Sequence, residues 1–293
     1  MLIAQVTDVH LGFEPNNPAE FNRQRLDQVI RKLKMTEPVP DMLIISGDLV
    51  DRGDVASYER LQNVVEKCGF PVWLCLGNHD MRDNFSEVFA NIPVNDGFVQ
   101  YEVETETLRI LMLDTLEEGR HGGAFCEVRA EWLDKQLSDN PDRPTLLVMH
   151  HPPVDVGIEW MATDSREPWV ARFTDAIAGH KQVVGIICGH LHRPISCIWK
   201  GTSVIICASS APQAALDLSP IDAEEPDSRA MIIADPPAYA LHRWNGSEMV
   251  SHFDNADDHV VIARFDHKMQ KLVRHLLHER PLSEEPAPVP AAI

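Results

Sequence analysis

The 293-residue chain contains no Cys-x-x-Cys pair, no apolar run long enough to span a bilayer and no excess of basic side chains. Each absence removes a class of function. Cys68, Cys75, Cys126, Cys188, Cys197 and Cys207 stand apart, several inside apolar runs. They read as buried reduced thiols rather than a zinc cage or a disulfide framework, with an intermolecular disulfide as the lesser alternative. The opening "MLIAQVTDVH" lacks a basic segment and reaches Asp8 after a short apolar run, so it reads as a first strand rather than a signal peptide, and a cytoplasmic protein with no membrane partner is expected. Lys and Arg number 26 against 45 Asp and Glu, a net charge of −19. Such a surface repels long polyanions, which argues against bulk nucleic acid as a partner. It also repels a small phosphate ester unless something positive sits in the site, and the 14 histidines point to metal ions as that source.

What is present is the composition of a soluble globular protein, 44% hydrophobic and 24% charged, with no internal repeat. Through the first two thirds, strand-like runs alternate with amphipathic segments. "LIAQV" precedes a helical segment over residues 19–34, where Leu26, Val29, Ile30 and Leu33 recur at helical spacing. "MLIIS" precedes "ASYERLQNVVEKC", a helix expected to stop at Gly69. "VWLCL", "LRILML", "TLLVM" and "VVGIIC" supply further strands, and "EVRAEWLDKQL" and "PWVARFTDAIA" further helices, the latter opened by Pro168. This alternation implies α/β layering with parallel pairing. After Gly189 the pattern becomes strand-rich, and Asn245-Gly246 is a hairpin signal. Residues 216–227 read as an excursion that caps the site or meets another subunit. An amphipathic segment over residues 267–278 precedes a Pro- and Ala-rich end expected to be disordered.

Five apolar runs end in metal-capable side chains: "TDVH", "SGDLVD", "LGNHD", "VMHH" and "CGHLH". In an open α/β sheet, loops at the carboxyl ends of strands converge, so five separate turns can form one pocket. Asp8 and His10 are two residues apart; if the strand continues through them they share a face and can bind one cation, and His190 and His192 have the same spacing. Gly47 and Gly189 remove a Cβ beside the ligands, and Pro152 and Pro153 stiffen the exit from His150 and His151. Carboxylate, imidazole and amide donors without thiolate suit Mn, Fe, Zn or Co in a catalytic centre with open positions. Two such cations can clamp a phosphoryl group.

In order, "DVH", "GDLVD", "GNHD", "HHPP" and "GHLH" resemble the calcineurin-like metallophosphoesterases, whose pattern is D-x-H, G-D-x-x-D, G-N-H-D/E, H, G-H-x-H. "MLIAQVTDVHLG", "MHHPPV" and "CGHLHRP" are similar to the class III cyclic-nucleotide phosphodiesterase and glycerophosphodiesterase branch. The resemblance spans residues 1–213 and is looser beyond. It implies a four-layer α/β/β/α sandwich with a C-terminal strand hairpin or cap: a catalytic core over residues 1–215, a cap, hairpin and helix over 216–280 that completes the sandwich or meets another subunit, and a tail over 281–293. It also implies two divalent cations, one held by Asp8, His10 and His192 and the other by Asn78, His150 and His190, with Asp48 bridging. His151 then supports the site without binding metal.

By the same resemblance His79 faces the phosphate as hydrogen-bond donor or proton source, Asp51 orients and charges it, Asn78 adjoins the substrate, and Asp80 plays a supporting part. The implied reaction is hydrolysis of a small phosphodiester, a cyclic nucleotide or a glycerophosphodiester, by metal-bound hydroxide. A phosphomonoesterase, a metallonuclease and a metal-stabilised binding scaffold are the alternatives, and a homo-oligomer is expected. His121 reads either as a substrate contact or as part of a Gly-flanked surface loop, and Arg52 as a surface ion pair. Trp160, Met161 and Trp169 read as core, and His242, His252 and His259 as structural or interface residues. Where the branch can offer a His-Gln pair towards substrate, this chain has Pro212 and Gln213, which removes one imidazole from the outer pocket.

Overall fold

The computed structural model describes residues 1–161 and 163–279; the tail expected over 281–293 lies outside them. In chain order the elements are β1 (Leu2–Val6), α1 (Phe21–Lys34), β2 (Met42–Ser46), α2 (Val55–Val65), β3 (Val72–Cys75), α3 (Arg82–Val88), β4 (Tyr101–Glu104), β5 (Arg109–Met112) and α4 (Glu127–Asp139). Then follow β6 (Thr145–Val148), α5 (Pro168–Ile177), β7 (Val183–Cys188), β8 (Ile195–Trp199), β9 (Thr202–Ile206), β10 (Gln213–Ala214), β11 (Ile232–Ile233), β12 (Ala238–Trp244), β13 (Met249–Asn255) and α6 (Gln270–His278).

The strands form two large mixed sheets, ordered β13-β12-β1-β2-β3 and β4-β5-β6-β7-β9-β8. Buried on both faces, β5, β6 and the end of β7 in the second sheet feed two cores by simple alternation. Ile110, Met112, Leu146, Val148 and Ile187 join the first sheet, α1 and α2 in one cluster. Leu111, Leu113, Leu147, Met149 and Ile186 face α4 and α5 in another, with Met161 and Trp169. The layering is therefore α/β/β/α.

Local chemistry sets the element ends. The Asp54 carboxylate accepts from Ser57 N at 2.9 Å and caps α2. That helix stops at Val65, short of Gly69. Arg31, Lys32 and Lys34 close α1 against its negative end. At the hairpin between β12 and β13, Gly246 takes φ +106° and Asn245 Oδ1 accepts from Glu248 N.

This late hairpin is an integral edge of the first sheet, with β12 antiparallel to β1. Between β9 and β12 the strands are short: β10 and β11, of two residues each, pair antiparallel. A compact unit extends from Met1 to Asp257, and the described residues from Asp258 to Glu279 belong to a second unit that contains α6. Among the described residues no helix is long and apolar enough to cross a membrane.

Candidate metal centre

The strands β1, β2 and β3 run parallel, as do β5, β6 and β7, so the loops leaving β1, β2, β3, β6 and β7 gather where the two sheets meet. The exits of β1 and β2 stay tied beyond the ladder, with Asp8 N donating to Gly47 O at 3.1 Å and His10 N to Asp48 O at 3.0 Å. Spacing along a continuing strand does not account for the pairs. Asp8 and His10 lie past the end of β1 with φ of 50° and 47°, His190 and His192 past the end of β7 with 72° and 53°, and Asp48 has 47°. The chain curls through the left-handed region at each of these residues, so both donors of a pair turn inward by backbone reversal rather than by the pleat.

The donors nevertheless meet. His10 Nε2 lies 3.2 Å from His192 Nε2 and 3.6 Å from Asp48 Oδ2, and His192 Nε2 lies 3.5 Å from Asp8 Oδ1. Asn78 Oδ1 lies 3.2 Å from His150 Nε2 and 3.0 Å from His190 Nδ1, and His150 Nε2 is 3.4 Å from Asp48 Oδ2. Asp48 thus adjoins both groups. Donor separations of about 3 to 3.5 Å are what metal–ligand bonds of about 2.1 Å require around one ion.

Carbonyl oxygens fix which ring nitrogen is free. A carbonyl only accepts, so Nδ1 of His150, 2.9 Å from Ser46 O, and Nδ1 of His192, 2.8 Å from Pro212 O, carry protons. Their Nε2 atoms then are the ones that face Asn78, Asp48, Asp8 and His10, a cluster of oxygen and nitrogen donors around which a cation fits. Pro212 therefore has a part through its main chain, which no side-chain pattern could signal. Gln213 turns away, its Nε2 donating to Pro236 O.

The charge balance points the same way. Burial pushes Asp8 up to about 6, with Asp48 adding to the rise. Asp48 is buried too, which alone would raise it, but His150 and then His10 and His79 hold it well below the usual carboxylate range. Against burial, Asp48 and Asp8 lift His150 to about 9. His190 is driven well down by burial and the neighbouring His151 and His150. The two buried carboxylates thus demand positive charge between them, and the residues present fit divalent cations.

Three glycines leave the space. A Cβ on Gly47 would stand 2.3 Å from His150 Nδ1, and one on Gly189 2.0 Å from Thr7 Oγ1 and 3.1 Å from Asp8 Oδ2. Gly77, which from the sequence alone looks like turn chemistry, is a close-approach position: its Cβ would fall 2.3 Å from Asp48 Oδ1.

His79 is half-buried and lines the cavity over the site. Its main-chain N–H donates to Asp48 Oδ1 at 2.9 Å, and its Nδ1 lies 2.8 Å from the carbonyl of Asp51, leaving Nε2 free. Burial lowers its pKa, but Asp48 and the Asp51 carbonyl more than offset this, so the net shift is upward. Asp51 acts on His79 through its carbonyl, which holds Nδ1, and through its charge, which adds to the rise in pKa, while its carboxylate lies 3.6 Å from His10 Nδ1. Arg52 pairs with Asp51 at 3.3 Å.

Behind the site, Asp80 is buried and accepts from Gly77 N, Leu49 N and Tyr58 OH at 2.8, 3.2 and 2.9 Å. Burial and Asp48 push it up to about 7 against the pull of these donors. His151 has both ring nitrogens engaged, by Thr115 Oγ1 at 2.8 Å and His121 O at 3.2 Å. His121 itself is exposed, yet its ring lies 4.7 Å from that of His190, so it borders the site. His242 is buried between Gln5 Oε1 at 2.9 Å and Ser251 Oγ at 2.7 Å.

Residues 1–194 match the model of the calcineurin-like phosphoesterase family. The chain is 31% identical to a probable glycerophosphodiester phosphodiesterase GpdQ of Arcobacter nitrofigilis, over 83% of this chain and 89% of that one. It is 35% identical to a probable cyclic nucleotide phosphodiesterase of Rhodopseudomonas palustris, over 80% and 84%. Among solved structures, a dimetal phosphatase from Danio rerio superposes with a TM-score of 0.62 at 15% identity, covering 88% of this chain and 97% of that one, a likeness of fold. With the motifs, the layering and the family match in agreement, this chain belongs to the calcineurin-like phosphoesterases, a family of hydrolases.

Proposed function

We propose that this protein hydrolyses small phosphodiesters, cyclic nucleotides or glycerophosphodiesters, with two divalent cations. In this reading Asp8, His10 and His192 hold one cation, Asn78, His150 and His190 the other, and Asp48 lies between them. The oxygen and imidazole donors suit Mn, Fe, Zn or Co. When bound, such ions supply charge that offsets the phosphoryl oxygens and a nucleophile at neutral pH.

The observation that carries the reading is His79. It stands on the cavity side of the donor cluster, fixed through Nδ1 by the Asp51 carbonyl, with Nε2 free to donate to a phosphoryl oxygen or to protonate the departing alkoxide. Asn78 beside it would orient the ester. His121, at the rim, is placed to touch substrate. The names of the relatives support a diester, and the net charge of −19 supports a small substrate rather than nucleic acid; a cytoplasmic protein without a membrane partner is part of the same reading.

Purified protein loaded with Mn²⁺ should turn over bis(p-nitrophenyl) phosphate much faster than p-nitrophenyl phosphate. The reverse ratio would assign a phosphomonoesterase, and rapid cleavage of single-stranded DNA at physiological salt a nuclease.

A further inference from the structure

A cavity of about 550 Å³, within the range of small-molecule sites, opens directly on His10, His79 and His192. Its outer wall carries Phe13, Phe21 and Ile232, which are 62%, 49% and 55% exposed. Large apolar side chains left in water beside a polar centre mark a surface that gains from being covered.

The wall is built rather than incidental. The Glu20 carboxylate gathers Gly12 N at 2.8 Å and Glu14 N at 3.1 Å, folding the loop that presents Phe13. Buried Arg25 donates to the carbonyls of Ser210, Ala211 and Asp235, and its guanidinium lies 5.3 Å from the centroid of the Phe21 ring. Ile232 is held by the pairing of β11 with β10.

The same wall offers few polar handles. Asn22 spends its amide on His10 O, the Glu14 carboxylate accepts from Asn17 Nδ2 and Phe21 N, and Pro212 O holds His192. No Lys or Arg lines the cavity, whereas Glu14, Glu20 and Asp51 do. A second anionic group on the substrate would meet only like charge. A hydroxyl-rich group would find few partners, because the Glu14 and Glu20 carboxylates are already engaged by main-chain and Asn17 donors. A flat, uncharged ring can cover the phenylalanines at no such cost.

Resting on the phosphodiesterase reading, we propose that Phe13, Phe21 and Ile232 make the site selective for phosphodiesters bearing one uncharged aromatic ring, gripped by stacking and apolar contact rather than by hydrogen bonds. Purines and pyrimidines are then accepted alike, and glyceryl esters are poor substrates.

The test measures kcat/KM of the full-length Mn²⁺-loaded protein for 3',5'-cyclic AMP, GMP and CMP and for glycerophosphoglycerol, in the wild type and in Phe13→Ala, Phe21→Ala and Ile232→Ala. The wild type should prefer the cyclic nucleotides and treat all three within about fivefold, because stacking tolerates any base. The ratio of cyclic-nucleotide to glyceryl kcat/KM should fall by about tenfold in at least one phenylalanine variant, mainly through KM, with metal content unchanged. Comparing ratios between variants cancels the intrinsic reactivity of the esters. Where an alanine variant loses metal or fails to fold, Phe13→Leu and Phe21→Leu keep the apolar bulk and remove the flat ring. Turnover of diesters with an unaltered ratio in every variant, or sharp discrimination between bases, overturns the inference and leaves the phosphodiesterase reading intact. Turnover of phosphomonoesters alone overturns both.

Discussion

A Cβ at Gly77 would stand 2.3 Å from Oδ1 and 2.4 Å from the main-chain nitrogen of Asp48, and 2.8 Å from Nε2 of His150. No relaxation of a flexible side chain relieves all three, because the first two belong to the residue that lies between the donor groups. Gly77→Ala should therefore lose most bound metal and at least two orders of magnitude in turnover, with a stability cost of about 1 to 3 kcal/mol for the overpacking. Metal analysis and urea unfolding check this. Full metal content in the variant would show that Asp48 can withdraw without consequence.

Adjacent Asn78 and His79 should fail in different ways. Asn78 Oδ1 lies within 3.2 Å of two imidazole nitrogens, whereas His79 is turned to a carbonyl and the cavity. Asn78→Ala is expected to lower metal content and turnover together. His79→Ala should retain its metal and lose about 10²- to 10⁴-fold in kcat, the range for a lost proton donor. Unimpaired turnover in His79→Ala would remove His79 from the chemistry, and absence of turnover in the metal-loaded wild type would favour a scaffold over an enzyme.

Removing metal should destabilise the fold as well as silence it. Asp8 and Asp48 are buried side by side, and without cations their charge is balanced by imidazoles alone. Chelation should lower the unfolding temperature, and readdition of Mn²⁺ should restore both stability and activity. At a free metal concentration 100 times Kd, each site contributes about 2.7 kcal/mol.

His242 predicts a loss of stability in mild acid. Burial, with a smaller contribution from His252, pushes its pKa down to about 4, below the unfolded value of about 6.5. The unfolded chain therefore takes the proton first. The stabilisation is complete above pH 6.5 and is lost as pH falls from there toward 4, about 2 kcal/mol of it by pH 5. Urea midpoints of wild type and His242→Asn between pH 7.5 and 5 should converge as the pH falls. Parallel lines would show that His242 does not titrate with unfolding.

Much of this arrangement is legible in residue order. Leu26, Val29, Ile30 and Leu33 specify the buried face of α1, the alternation of strands and helices specifies α/β layers, and the five blocks from Asp8 to His192 name the donors. These features are local: each depends on a period, a cap or a turn within a dozen residues.

The tertiary structure decided what depends on distant partners. His10 and His192 meet across 182 positions, because parallel strands of two sheets end at one place. The left-handed backbone at Asp8, His10, Asp48, His190 and His192 runs against the local preference of non-glycine residues, so it is held by the surrounding contacts rather than chosen by the residues themselves. Main-chain carbonyls of Ser46, Asp51 and Pro212 orient His150, His79 and His192, and every residue type carries such a carbonyl, so no sequence pattern marks them. The sequence by itself determined the layers and the identity of the donors; only the packed chain decided which nitrogen faces inward, why Gly77 must be glycine and that Phe13 and Phe21 wall the cavity.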